Sequence, residues 1–152
     1  MENSKKNAKS VKCYDFTDGK IAIKNKGETV DIPWNMVLAN KSFGTMVSDK
    51  ALGFTWAINS RQNKLTPWYS DTASDNRGEM LIWKYNGTLY DIIALSTAVF
   101  SPDKAQWKAE IKGVSFTVTV SVPERGMTKK ISVEMENKSG YPRDGELAFY
   151  TL

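Results

Sequence analysis

No histidine occurs among the 152 residues, and there is a single cysteine, Cys13. The first absence excludes a Ser-His-Asp triad, histidine acid–base chemistry and histidine-ligated metal within the chain. The second excludes an internal disulfide and a thiolate zinc site. Any catalysis would have to run on carboxylates, lysine or tyrosine. No run approaches the ~18 consecutive apolar residues needed to span a bilayer. The opening ten residues, Met1 to Ser10, carry none of the apolar stretch of a secretory signal. The expectation is a cytoplasmic protein with no membrane partner. Phosphate-cradling glycine loops and Walker-type spacings are also missing, so no cofactor is expected.

Charge of one sign is scarce as well. Twenty-one basic residues against 17 acidic ones leave a net charge of +4, scattered rather than gathered into the stripe that a nucleic-acid binder presents. The one dense basic stretch, Lys5, Lys6, Lys9 and Lys12, lies at the amino end and reads as a solvated terminus. Residues 1–10 are therefore taken as a flexible tail, and nucleic acid is not an expected partner. Hydrophobic residues make up 41% and aromatics 11%. That suffices for the core of the one ordinary domain this length allows, over residues 11–152.

What is present alternates with period two. Val114, Phe116, Val118, Val120 and Val122 point one way, and Ser115, Thr117, Thr119 and Ser121 the other. Such a run is a strand buried on one face. Ile131, Val133 and Met135 alternate with Ser132, Glu134 and Glu136, and Leu147 and Phe149 with Ala148 and Tyr150. Asp18-Gly19 separates Cys13–Phe16 from Lys20–Lys24, and Asn86-Gly87 separates Met80–Tyr85 from Thr88–Ile93. Both dipeptides suit the positive φ angles of a type I′ hairpin. Pro123-Glu124-Arg125-Gly126 and Ser139-Gly140-Tyr141-Pro142 mark two further reversals. The best helix candidate, Asp103–Ile111, fits helical spacing poorly and is read as a strand over Ala105–Ile111. Short strands with turns every ~8–12 residues predict an all-β, antiparallel sandwich.

One stretch breaks the meander. Residues 59–78 are polar and aperiodic, with Trp68 and Tyr69 at their centre. Loops longer than ~12–15 residues in compact domains are functional or disordered, and two large aromatics argue for order. Two of Asp71, Asp75 and the following Glu79 could pair as the acid and base of glycoside cleavage. Turn formation, or pairing with Arg61, Lys64 or Arg77, accounts for the same acids without chemistry. The five tryptophans, Trp34, Trp56, Trp68, Trp83 and Trp107, are open to two readings. An indole beside polar groups can stack on the C–H face of a sugar, or it can fill the core. Trp56 and Trp83, in strand-like runs, are expected in the core. Trp68, after Pro67 in the polar loop, fits core and contact surface equally.

Residues 53–68, Gly-Phe-Thr-Trp-Ala-Ile-Asn-Ser-Arg-Gln-Asn-Lys-Leu-Thr-Pro-Trp, with Asp71, Asp75, Gly78 and Glu79, closely resemble the amino-terminal sandwich of the cellobiose phosphorylase group of glycoside phosphorylases (glycoside hydrolase family 94). Within that group the similarity is greatest to the β-1,2-glucan-active members. Pro33-Trp34, Leu38-Ala39-Asn40, Phe43-Gly44 and Val47-Ser48 fit the same pattern, and Phe100-Ser101-Pro102 and the strands at 114–122 and 130–137 fit more loosely. Ser70 departs from it, since asparagine is common before the Asp. The resemblance implies a galactose-mutarotase-like super-sandwich, incomplete within these residues, followed in the family by a catalytic (α/α)6 barrel. No residue here matches the family's catalytic acid or phosphate ligands, so no catalytic residue is assigned and the 152-residue chain is expected to be inactive alone. The implied role is substrate framing and packing in an inverting phosphorylase that is a homodimer in its full-length form. Asn59, Arg61, Asn63, Trp68, Tyr69, Asp71, Asp75 and Arg77 would then touch a β-glucan oligosaccharide, the barrel or the partner subunit. The alternative is a stand-alone carbohydrate-binding or protein-interaction module. The strand at Leu147–Tyr150 is expected to leave an open apolar edge prone to self-association.

Overall fold

The computed structural model describes residues 14–23, 33–68 and 78–151. Twelve strands account for nearly all of their regular structure: β1 (Tyr14–Thr17), β2 (Lys20–Ile23), β3 (Asn35–Ala39), β4 (Phe43–Ser48), β5 (Phe54–Ala57), β6 (Glu79–Tyr85), β7 (Thr88–Asp91), β8 (Thr97–Ser101), β9 (Lys104–Ile111), β10 (Val114–Ser121), β11 (Lys130–Asn137) and β12 (Gly145–Thr151). Every pairing is antiparallel. Among the described residues there is no helix, hence none long and apolar enough to cross a membrane. The segment that came nearest to a helix is β9.

Both expected hairpin turns are present. Asp18 and Gly19 (φ 51° and 71°) join β1 to β2, and Asn86 and Gly87 (φ 49° and 74°) join β6 to β7. A third turn of the same kind, Lys112-Gly113 (φ 52° and 80°), joins β9 to β10. Lysine is not a residue that advertises positive φ, so only the glycine marked it in the sequence. The strand expected over Thr88–Ile93 ends at Asp91. The Asp91 carboxylate accepts the Ala94 amide at 3.0 Å and the Ser96 hydroxyl donates to Ile92 O at 2.6 Å, which turns the backbone. Ile92 and Ile93 are fully buried in that turn rather than in the ladder.

The sheets are one of six strands, in the order β1-β2-β8-β9-β10-β11, and two of three, β12-β6-β7 and β3-β4-β5. The register aligns Phe116, Val118 and Val120 of β10 with Ala109, Trp107 and Ala105 of β9, and those in turn with Ala98 and Phe100 of β8. One face of the large sheet is thus continuously apolar. It meets both small sheets. Trp83 of β6 packs on Phe116 with ring centroids 5.1 Å apart, and the Trp107 indole donates to Ser48 O at the end of β4 at 3.2 Å. Leu38 and Val47 of β3 and β4, Leu81 of β6 and Leu52 complete one core. The arrangement is a sandwich. Trp83 and Trp107, at 1% and 0% exposure, are its two largest buried side chains.

At the margin, β12 pairs with β6 alone among the described residues, and its register sets Leu147 opposite Trp83 and Phe149 opposite Leu81. Both therefore share the inner face, yet they remain 42% and 50% exposed. Among the described residues, no strand pairs with the other edge of β12.

Candidate functional site

Period two also decides which aromatics leave the core. In β5, Thr55 pairs with Thr45, and Thr45 lies on the same face of β4 as the core residue Val47. Phe54 and Trp56, paired with Met46 and Gly44, consequently face outward. Trp56 is half-buried and outside the core cluster, contrary to the expectation for it. It lies across Gly44, where any Cβ would come within 2.4 Å of the indole. Phe54 is nevertheless only 2% exposed. It is covered by Trp68, whose ring stacks on it with centroids 4.7 Å apart and planes 2° from parallel, while Trp56 tilts against it at 5.2 Å. A satellite aromatic cluster thus sits on the outer face, capped by a half-buried Trp68 with Lys64 Nζ 5.8 Å from its ring centre.

The loop that delivers Trp68 is built in three steps. Ile58 takes a left-handed φ of 63° and gives its amide to Ser42 O at 2.7 Å. The Asn59 carboxamide then accepts the Arg61 and Gln62 amides at 2.9 and 3.0 Å. Finally the chain returns beside β5: Asn63 O accepts from Ala57 N at 3.1 Å, and Thr55 O accepts from Leu65 N at 2.8 Å, around a bridge between Trp56 and Lys64. The returning segment covers what would otherwise be an open strand edge.

Beneath it lies a buried polar hub. Glu79, at the start of β6 and 2% exposed, accepts from Thr55 Oγ1 at 2.6 Å, from Thr66 Oγ1 at 2.8 Å and from Lys129 Nζ at 2.5 Å. Thr66 Oγ1 in turn accepts the Thr55 amide at 2.8 Å, and Lys129 also donates to Leu52 O at 2.8 Å. Burial pushes the Lys129 ammonium below the usual lysine value, and the charge and hydrogen bond of Glu79 pull it back up. Gly78 completes the seat, because a Cβ there would stand 2.2 Å from Pro67 O. At 2% exposure and with three donors on its carboxylate, Glu79 is turned inward rather than toward a glycosidic bond, and its ion-pair partner among the described residues is Lys129 rather than Arg61 or Lys64.

Of the expected contact residues, Asn59, Arg61 and Asn63 are exposed and Trp68 is half-buried, all on this one loop. The Asn59 side chain is committed to its turn, whereas Arg61 makes no ion pair among the described residues. Tyr69, Asp71, Asp75 and Arg77 lie outside the described residues, as do Ser70, the amino-terminal lysines and Cys13. Thr55 and Thr66 stand out in the sequence only as members of the 53–68 motif, and Lys129 not at all. Only the position of Glu79, polar at the head of an apolar strand, could have signalled a buried partner.

The molecule is an antiparallel β-sandwich with one core, and a polar loop carries an aromatic cluster on its outer face. The family model described as glycosyl hydrolase 94, supersandwich domain, matches residues 19–151, and the chain belongs to that family. Among curated proteins it is similar to the cyclic β-(1,2)-glucan synthase NdvB of Rhizobium meliloti (strain 1021), with 40% identity over 55 residues. That segment is 36% of this chain and 2% of the relative's length, so the chain spans a small part of the protein it matches.

Proposed function

We propose that the domain frames a β-1,2-linked glucan beside the catalytic part of an inverting glycoside phosphorylase, without supplying a catalytic group itself. The observation that carries this reading is Trp68. Its ring is held flat by Phe54 on one side, half-buried, on a loop whose neighbouring Arg61 and Asn63 are exposed. An apolar plate on a loop with exposed hydrogen-bonding side chains matches a pyranose ring, which offers C–H faces and equatorial hydroxyls. The linkage is taken from the similar protein, a cyclic β-(1,2)-glucan synthase. The half-exposed inner-face residues Leu147 and Phe149 on β12 support a second part of the reading, in which this margin packs against the (α/α)6 barrel or the partner subunit.

Calorimetric titration of the chain with β-1,2- and β-1,4-linked gluco-oligosaccharides tests the reading. The β-1,2 series is expected to bind more tightly, and Trp68→Ala is expected to weaken that binding at least about tenfold, the size of an interface hot spot. Equal titration curves for parent and variant would remove Trp68 from the contact surface. With phosphate present, the chain alone is expected to release no glucose 1-phosphate.

A further inference from the structure

The β10–β11 loop contains no residue that the family resemblance singled out, yet it is tied at both ends to the loop that carries Trp68. At its start, the Asn40 carboxamide donates to Pro123 O and to Gly126 O, both at 2.8 Å. The same side chain accepts the Ser42 and Phe43 amides at 2.9 Å each, and Ser42 O holds Ile58 N, the first residue of the aromatic loop. At its end, Lys129 binds the Glu79 carboxylate, which also holds Thr66, two residues before Trp68. Two loops far apart in sequence are thus fixed to each other by one carboxamide and one buried ion pair.

The tip between these anchors is treated differently. Glu124, Arg125, Gly126 and Met127 are all exposed, with Met127 at 55%. Arg125 makes no hydrogen bond or ion pair among the described residues. Ordering a loop backbone costs conformational entropy, about 1–2 kcal/mol per residue. Here the backbone is held at Pro123 and Gly126 while the Glu124, Arg125 and Met127 side chains are exposed. Rigid presentation of free side chains is the arrangement in which scaffolds hold contact residues.

We infer that the β10–β11 loop is a second wall of the glucan-contacting surface, with Arg125 and Met127 as its contact side chains. The inference rests on the reading of Trp68 as a glucan platform. The guanidinium offers several N–H donors in a fixed plane, suited to adjacent sugar hydroxyls. The Met127 thioether is apolar and adaptable, suited to ring C–H groups. Both walls address the same chemistry, a neutral polyol with apolar faces.

Three proteins decide it: the full chain, Trp68→Ala, and the double variant Arg125→Ala/Met127→Ala. Each is titrated with a β-1,2-linked gluco-oligosaccharide and melted in parallel. Because both loop residues are exposed, the double variant is expected to melt with the parent and to bind at least about tenfold more weakly, the equivalent of about 1.4 kcal/mol. If Trp68→Ala weakens binding and the double variant binds like the parent, the second wall is overturned while the Trp68 reading stands. If the double variant alone weakens, the Trp68 platform is wrong, and the inference of a second wall beside it is overturned with it. Parental binding by both variants, or no binding by the parent, overturns both.

Discussion

Two aromatic clusters of this domain are built from similar rings and differ in what surrounds them. Trp83 sits between Tyr85, stacked at 5.0 Å, and Phe116 at 5.1 Å, with Tyr90 tilted at 5.8 Å, and it is 1% exposed. Its neighbours come from two sheets, so the cluster joins the layers. Trp68 has Phe54 on one face and is half-buried, and its neighbours come from one sheet and the loop itself. Apolar packing on all sides holds the first cluster. A polar device holds the second, with Glu79, Thr55, Thr66 and Lys129 fixing the loop from beneath. Trp68 is not enclosed on all sides as Trp83 is, and the buried contact lies below it, in the Glu79–Lys129 ion pair. The cost is a charge pair taken out of water, which contributes geometry more than stability.

Mutations that remove each anchor sharpen this contrast. Trp83→Ala should be the most damaging, by about 3–5 kcal/mol in denaturant unfolding, because a cavity opens between the two layers. A cost near that of an exposed aromatic would show that the clusters are equivalent. Lys129→Ala should cost about 3 kcal/mol by leaving the Glu79 carboxylate buried and unpaired. The double replacement Glu79→Leu/Lys129→Met should recover most of that loss in the same unfolding assay. Recovery of stability without recovery of glucan affinity would separate the positioning role of the pair from any stabilising one.

Smaller effects are expected in the loop itself. Thr66→Val should cost about 1–2 kcal/mol, since the Thr55 amide loses its acceptor. Hydrogen exchange should quicken in residues 58–68 and stay unchanged in β9 and β10; a uniform increase would mean that the loop and core unfold as one unit. Trp68→Ala should cost about 1–2 kcal/mol, an aromatic pair plus partial burial, well short of the Trp83 loss. Ile58→Gly is the mildest. A β-branched residue at a φ of 63° bears about 1–2 kcal/mol of strain, which glycine relieves at an entropic cost of about 0.5–1 kcal/mol. A melting temperature equal to or slightly above that of the parent is expected. A clear drop would show that the exposed Ile58 side chain makes contacts that matter to the fold.

Trp56 shows where pattern reading fails. It lies in an apolar run, Phe54 to Ile58, in which alternation is weak because Thr55 is the inward residue and the aromatics face out. Without the pairing to β4, nothing in the run tells which parity is inside. The parity of β10 is evident by contrast, since its valines and Phe116 oppose four hydroxyl side chains. The exposed loop residues Asn59, Arg61 and Asn63 were legible as a polar break in the meander. Lys129 was not, because a lysine between two turns and a strand looks like any solvated charge until a buried carboxylate 50 residues away is placed against it.

By itself the sequence determined the class of fold, the positions of most strands, two of the tight turns and the family, because period-two alternation, Asx-Gly dipeptides and a contiguous motif are all local features. Only the tertiary structure decided which face of β5 is inside, that Trp68 caps Phe54, and that the 58–68 and 122–129 loops are bound into one body. Those outcomes depend on sheet pairing, on the Asn40 carboxamide and on one ion pair between distant segments, and no local signal encodes a contact whose two halves acquire meaning only when the chain brings them together.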